Sequence, residues 1–505
     1  MANQVSTDGM PTNGDNPWID SLVWGGKWES AAGGQLTLKY AFSEDPETIA
    51  DTGVGYVFSD QLRGIFEEVF RAFEAVIDIK FVEVTSDSET PDILYQLADD
   101  TSSQLEGGAS GRHDVPTFDG NENGVIEGVI NYDSILYLGT SSLLRGGYMY
   151  HTILHEIGHG LGLAHPHDGG TQEDGTVFPG VVSSGDTGDF DLNQAIWTAM
   201  SYNAGWTGEP IADGVVSFGG ASTPMALDIA ALQHLYGANA KANSGDTIHF
   251  LENKFNGLAN WSTIWDTGGV DTIEIQGFLS TFEETTIDLR AATLTGEHAG
   301  GYVSWVKDSS GGFTIANGVV IENAVGSSSH DTIIGNFADN KLTGGYGQDT
   351  LFGKQGSDTL KAGGLDDFAY GGQGADTVRG GAGDDTLFGN WNDDEMVGGK
   401  GSDRLFGGRG DDFIDGFTGD DTMFGGKGSD EFFYTLEGDE GADKIRDFQD
   451  GIDLILIQDA QFSDVTISAS GKGGKNTLIS LETGTTIVLS NINHSNISAS
   501  DFDFG

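Results

Sequence analysis

His155-Glu156-Ile157-Gly158-His159-Gly160-Leu161-Gly162-Leu163-Ala164-His165 spaces three histidines and one glutamate at offsets that suit a metal ion with a base beside it. On a helix, His155 and His159 lie four residues apart and share one face, so two neutral imidazoles reach one zinc ion. Glu156, next to the first ligand, is placed to take a proton from a water on the metal. Gly162 lets the chain leave the helix sharply, because glycine accepts positive φ at little cost. That turn returns His165 as a third ligand and leaves one coordination position open. His151 and His167 fit no part of this pattern, and a surface place or one behind the ligands is expected for both.

Thr198-Ala199-Met200-Ser201-Tyr202 follows a loop rich in glycine and aspartate. With this second motif the chain resembles a serralysin-type zinc metalloprotease of the metzincin clan (peptidase M10B). The resemblance implies a structural methionine turn at Met200 beneath the zinc. It also implies that Tyr202 ligates the zinc at rest and swings away to stabilise the transition state. One catalytic zinc would then be held by His155, His159, His165 and Tyr202, with Glu156 and Tyr202 as the catalytic pair.

Those residues need a scaffold. Leu36–Phe42 alternates like a half-buried strand. Leu62, Ile65, Phe66, Val69, Phe70, Phe73 and Val76 recur at spacings of three and four and predict a helix. Ile79–Val84 and Asp92–Leu97 read as further strands, and Gly128–Tyr132 as an edge strand able to take an extended peptide by strand addition. The helix carrying His155 should begin near Gly147, and Pro224–Gly237 reads as a capped helix ending at glycine. The fold class expected is an α+β metzincin catalytic domain over 19–240, its zinc cleft between two subdomains. Residues 1–18 are expected to be a flexible segment and a possible propeptide.

Past Gly237 the period changes. From Gly326 to Phe433 twelve nine-residue units follow the template G-G-x-G-x-D-x-U-x, where U is apolar. The sixth position holds Asp331, Asn340, Asp349, Asp358, Asp367, Asp376, Asp385, Asp394, Asp403, Asp412, Asp421 and Asp430. A flexible linker needs no fixed aspartate, so the reading is a parallel β-roll (326–433) with the apolar eighth positions stacked inside. Aspartates facing one another across turns repel unless a cation sits between them, and hard oxygen ligands select calcium. The repeats resemble RTX calcium-binding repeats. By that resemblance, a calcium takes the carbonyls of positions two and four and the aspartate of one loop. It also takes positions one and three and the aspartate of the loop two units on. Gly345, Gly347 and Asp349 thus pair with Ala362, Gly364 and Asp367. The same rule runs through Gly353, Gln355, Gly356 and Asp358, then Gly371, Gly372, Gln373, Gly374 and Asp376, then Gly380, Gly381, Ala382, Gly383 and Asp385. It continues through Asp394, through Gly398, Gly399, Lys400, Gly401 and Asp403, and through Gly407, Gly408, Arg409, Gly410 and Asp412. Gly416, Thr418, Gly419, Asp421 and Asp430 complete it. Leu365 and Asn392 replace the fourth-position glycine, and the unit at Gly326 carries serines, so the pattern weakens there.

Between the two domains, residues 241–325 are expected to form a β-structured connection. Asn243, Gly245, Thr247, Asp266, Gly268, Gly269 and Asp271 sit at the spacings of a further serralysin calcium site, and Glu322 matches a ligand of a neighbouring ion. Residues 434–505 return to alternating strands, such as Leu454–Ile457 and Thr485–Leu489. They close on the acidic, aromatic Asp501–Gly505, which the resemblance implies is a type I secretion signal.

Composition bounds the function. The chain has 505 residues, 78 acidic against 23 basic and no cysteine. A net charge of −55 makes nucleic acid a poor partner and is compatible with a saline setting. Without cysteine, stability must come from packing or metal. No run of 18 apolar residues exists, so no membrane insertion is expected. Residues 1–8 lack the basic and apolar parts of a signal peptide, so export by the type I apparatus to the extracellular space is expected. No basic residue lies between Arg145 and Lys241, so strong selection for acidic side chains near the cleft is not expected. These readings converge on a secreted, monomeric, calcium-stabilised zinc endopeptidase of protein substrates. The alternatives are a calcium-dependent adhesion or surface module with a vestigial protease domain, and a toxin-like protein acting on one host target.

Overall fold

Leu62, Ile65, Phe66, Val69, Phe70, Phe73 and Val76 are all buried on one helix, α2 (Asp60–Val76), whose N-terminus is capped by Ser59 accepting from the Leu62 amide at 3.2 Å. In this computed structural model the described residues are 2–6, 16–24, 26–30, 34–44, 55–85, 89–99, 105, 110–114, 116, 125–168, 177–203, 220–252, 260–276, 284–307, 311–436 and 440–504. They divide into two compact units. The first comprises residues 1–245, 254–269 and 291–319, and the second residues 246–253, 270–290 and 320–505. The expected connection 241–325 is therefore shared between the units rather than standing apart.

In the first unit, β1 (Ala2–Ser6) pairs antiparallel with β2 (Gly26–Ser30), separated by the short helix α1 (Pro17–Asp20). The flexible segment expected over 1–18 is corrected to this extent: a polar stretch still closes a backbone ladder, because strand pairing uses main-chain groups that composition does not report. Residues 7–15 lie outside the described residues. Next come β3 (Leu36–Phe42), α2, β4 (Ile79–Glu83), β5 (Ile93–Ala98), β6 (Gly111–His113) and β7 (Ile126–Asn131). They build one sheet in the order β4-β3-β5-β7-β6, parallel except for the β6–β7 pair. The apolar face of α2 packs on it, with Phe66 against Tyr95 at 4.8 Å and Phe70 stacked on Phe81 at 4.4 Å. The expected edge strand proves to be β7, which is covered by β6, so among the described residues the edge on that side belongs to three residues, Gly111, Arg112 and His113. After α3 (Tyr132–Leu138) come α4 (Tyr148–Gly160), with the metal motif, and α5 (Ala226–Tyr236), which is buried from Ala226 through Leu232 and at Leu235.

In the second unit, successive nine-residue units alternate between two parallel sheets. One sheet of eleven strands runs from Ile248–Glu252 at one edge to Phe502–Asp503 at the other. In the other sheet, Asp331–Ile334, Thr350–Gln355, Phe368–Gln373, Thr386–Trp391, Arg404–Arg409 and Thr422–Lys427 pair in order. The eighth positions, from Ile333 through Leu387 to Phe432, are fully buried between the sheets. At the ninth position of alternate units Phe352, Tyr370, Phe388, Phe406 and Phe424 form a ladder of stacked rings with centroids 4.7–5.0 Å apart. Among the described residues, no helix is long and apolar enough to cross a membrane.

Candidate metal centre

Helix α4 delivers His155 and His159 from buried positions and then stops. The Trp28 indole donates to the Gly160 carbonyl at 2.9 Å, and the Tyr236 hydroxyl to the Leu161 carbonyl at 2.7 Å. These donors satisfy carbonyls that the helix end leaves open. The chain turns at Gly162, with φ +93°, where a Cβ would overlap the Gly26 carbonyl oxygen. Backbone bonds from Trp24 to Gly162 and from Ala164 to Leu22, at 2.8 and 2.9 Å, hold the departing strand and bring His165 to the helix face.

The proton positions follow from the partners. Nδ1 of His155 lies 2.8 Å from the Ala199 carbonyl, Nδ1 of His159 lies 2.7 Å from the Leu163 carbonyl, and Nδ1 of His165 lies 2.5 Å from an Asp168 carboxylate oxygen. Each partner only accepts, so each Nδ1 carries the hydrogen and each Nε2 presents a lone pair. Those three Nε2 atoms face one another, His165 being 3.0 Å from both His155 and His159. Burial and the neighbouring rings push the His155 imidazole well below its usual range and the His159 imidazole down to about 3, so both are neutral at pH 7. Converging lone pairs repel unless a cation joins them. A tetrahedral zinc at ~2.0–2.1 Å from each nitrogen sets them about 3.3 Å apart, so the donor set fits that ion.

The methionine turn lies directly under the helix. Met200 is fully buried, and a Cβ on Gly158 would come within 2.8 Å of its sulfur. Asp228, on α5, fixes the turn by accepting from the Thr198 hydroxyl at 2.5 Å, the Ala199 amide at 2.7 Å and the Met225 amide at 2.9 Å. Since the Ala199 carbonyl accepts from the His155 Nδ1–H, Asp228 orients that imidazole through the backbone of one residue. Tyr202 is exposed, with its ring 4.7 Å from that of His165 and 5.7 Å from that of His155. Partial burial and the Glu156 charge push its hydroxyl up to about 12. Glu156 itself is buried, which pushes its carboxyl up to about 8, while the Arg112 guanidinium pulls it down. His151 and His167 flank the ligands, their rings 6.2 Å from His155 and 4.9 Å from His165.

In the second unit the repeat aspartates form a ladder. The Asp349 amide donates to Asp367 Oδ1 at 2.7 Å, Asp367 to Asp385 at 2.8 Å and Asp385 to Asp403 at 2.8 Å. The same link recurs on the other sheet from Asp358 to Asp376 and from Asp376 to Asp394. One oxygen of each carboxylate is thereby used. The other, Oδ2, is buried without a hydrogen-bond partner in Asp349, Asp358, Asp367, Asp376, Asp385, Asp394, Asp403, Asp412, Asp421 and Asp430. It faces another acceptor: the space beside Gly344 is bounded by Asp349 Oδ2 and the Ala362 carbonyl oxygen. Beside Gly353 it is bounded by Asp358 Oδ2 and the Gly371 carbonyl oxygen. Acceptors converging with no donor suit a hard cation. Burial, reinforced by neighbouring carboxylates, pushes Asp367, Asp394 and Asp403 up to about 8. Leu365 and Asn392 take the left-handed turn at φ +78° and +74°, so their loops keep the shape of the glycine loops.

Residues 227–504 match the family described as Peptidase M10 serralysin C terminal. The chain belongs to this serralysin family. Among its relatives are Metalloprotease AprA of Pseudomonas entomophila (strain L48), 30% identical over 324 residues covering 61% of each chain, and Serralysin of Proteus mirabilis, 29% identical over 344 residues covering 64% of each. Serralysin G of Dickeya chrysanthemi is 36% identical over 201 residues, covering 38% of this chain and 37% of that one. The chain thus spans less than two thirds of the length of these relatives.

For this serralysin-family chain, the structure brings together His155, His159 and His165, with Glu156, Met200 and Tyr202 around them. The set expected around residue 243 is divided between the units. In the first, Asn243 Nδ2 donates to the Trp265 carbonyl and the Gly268 amide to Asp266, both at 3.0 Å. In the second, the Thr247 amide donates to Asp271 and the Asp271 amide to Glu322, both at 2.8 Å. Sequence reasoning missed Asp168, Asp228 and Arg112. The three-residue offset from His165 to Asp168 was readable as a ligand and its orienting carboxylate. Arg112 lies 44 positions before Glu156, with nothing local to link them.

Proposed function

We propose that this chain is a calcium-stabilised zinc endopeptidase that is exported, by a type I apparatus, to act on extracellular proteins as a monomer. The observation that carries this reading is the convergence of three lone-pair-bearing Nε2 atoms beside a buried glutamate. His155, His159 and His165 would hold the zinc, and the resemblance adds Tyr202 at rest. A zinc held there polarises a scissile carbonyl and lowers the pKa of a water to about 7. The backbone N–H and C=O groups on the open edge of β6 hold an extended peptide by strand addition. Glu156, whose raised carboxyl a zinc beside it would bring back down, takes a proton at its carboxylate and returns it to the leaving amine nitrogen. Tyr202 remains protonated at neutral pH and donates to the developing oxyanion, a role worth ~3–4 kcal/mol where measured. In the roll, the aspartate Oδ2 atoms and the loop carbonyls would hold calcium, so that binding free energy becomes folding free energy.

The test is casein hydrolysis by the full chain and by Glu156→Gln, with zinc and calcium content determined for both. One zinc in each protein, with activity at least ~10²-fold lower in the variant, is expected. An equally active variant sinks the role of Glu156. An inactive, zinc-free wild type that still binds calcium turns the reading to the adhesion module.

A further inference from the structure

The open edge of the catalytic sheet carries a cation where the rest of the first unit is acidic. Residues 1–240 contain seven basic residues against 35 acidic ones. One of the seven, Arg112, is the middle residue of β6.

Its geometry against an incoming strand can be worked out. Gly111, Arg112 and His113 pair with Ile130, Val129 and Gly128 of β7. The Asn131 amide donates to the Ser110 carbonyl at 3.0 Å, and the Asp114 amide to the Glu127 carbonyl at 2.9 Å. Antiparallel alternation then turns the N–H and C=O of Arg112 towards β7 and those of Gly111 and His113 towards the open edge. A peptide added there bonds to Gly111 and His113. Its residue opposite Arg112 sits in a non-hydrogen-bonded pair, where side chains come closest and lie on the same face. Gly111 fixes where this happens: a Cβ on it would lie 2.9 Å from Glu156 Oε1, and the His113 ring lies against Gly160. The peptide residue opposite Arg112 is therefore one removed from the residue over the base.

Arg112 is available for such a pair. Its side chain is 59% exposed, and its contact with Asp114 is a single 3.8 Å approach, the kind of surface pair that holds a side chain weakly.

We infer that Arg112 is a specificity-determining residue, selecting an acidic side chain in the substrate residue that pairs opposite it on β6. This rests on the peptidase reading. The test uses the full chain with zinc and calcium. Fluorogenic octapeptides carry Glu, Gln or Lys at each position in turn around one scissile bond, and kcat/KM is compared within each enzyme. At one position the wild type should favour Glu over Gln by roughly 2- to 5-fold and disfavour Lys, with the preference weakening in 1 M salt. Arg112→Gln should level the Glu:Gln ratio, Arg112→Glu should invert it, and Arg112→Lys should keep its sign. The Gln peptide serves as the folding control in every variant. A wild type with no acidic preference at any position, or one whose preference survives Arg112→Gln and Arg112→Glu, overturns the assignment while the peptidase reading stands. A wild type that cleaves no peptide overturns both.

Discussion

Phe388 sits in the middle of the aromatic ladder, 4.7 Å from Tyr370 with planes 1° apart and 4.8 Å from Phe406 with planes 9° apart. Phe424 touches one ring of the ladder, Phe406, at 4.7 Å. Centroids at this spacing with faces in contact at ~3.5 Å require the rings to slide about 3 Å past one another, which is the favoured offset stack. Each such pair contributes ~0.5–1.5 kcal/mol beyond its buried area. Phe388→Ala removes two pairs and should cost ~1–3 kcal/mol from stacking, whereas Phe424→Ala removes one and should cost ~0.5–1.5 kcal/mol. The assay is urea unfolding of the full chain in saturating calcium, followed by far-ultraviolet circular dichroism. A double-mutant cycle on Phe388 and Phe406 isolates one pair. A coupling below ~0.3 kcal/mol, within the usual additivity error, would refute the stacking argument. So would equal losses for Phe388→Ala and Phe424→Ala, since burial alone would then account for both.

Two further outcomes follow from the proposed metal sites. Asp349 is pushed up to about 7 and Asp367, Asp394 and Asp403 to about 8, from 3.8 in the unfolded chain. A raised folded pKa means stability that is fully present below pH ~4 and lost as pH rises towards 8. The calcium-free roll should therefore be more ordered at pH 5 than at pH 8, and calcium affinity should climb over the same window as protons leave. Circular dichroism of dialysed, metal-free protein at the two pH values checks this, and greater order at pH 8 contradicts it. At the zinc site, Gly158→Ala drives a methyl against the Met200 sulfur and should destabilise the first unit by ~1–3 kcal/mol. Thermal unfolding with zinc bound reads the effect, and an unchanged midpoint would mean that the turn yields freely.

Periodicity made much of this architecture readable. The α2 positions spaced by three and four are those buried on α2, and in the roll the strand Thr350–Gln355 starts at the seventh position of its unit, as do its neighbours. Three histidines at fixed offsets likewise needed no distant information. What stayed hidden depends on contacts remote in sequence. Strand β6 has three residues, too few to express a period of two, so the edge was assigned to β7. Ala2–Ser6 pairs with a strand some twenty residues on through main-chain bonds. Asp228 reaches the Met200 turn from another helix, and the Arg112 charge acts on Glu156 from a separate strand. Leu365 and Asn392 read as breaks in the repeat, yet the backbone around them holds each in the left-handed region.

The aspartate ladder also has a direction. At the sixth positions each amide from Asp331 to Asp412 is satisfied by a carboxylate eighteen residues nearer the C-terminus. The last two rungs find no repeat ahead of them. Asp421 reaches on to Asp443 at 2.8 Å, and Asp430 to Asp453 at 3.2 Å. The repeats therefore do not close on themselves. A roll cut after Phe433 would end in two buried amides lacking acceptors, so the smallest self-sufficient piece must carry the non-repeating residues to Asp453. A second row, at the fifth positions, points the other way, the amides of Asp384, Ser402 and Asp411 donating to carboxylates eighteen residues nearer the N-terminus, so each turn leans on both of its neighbours.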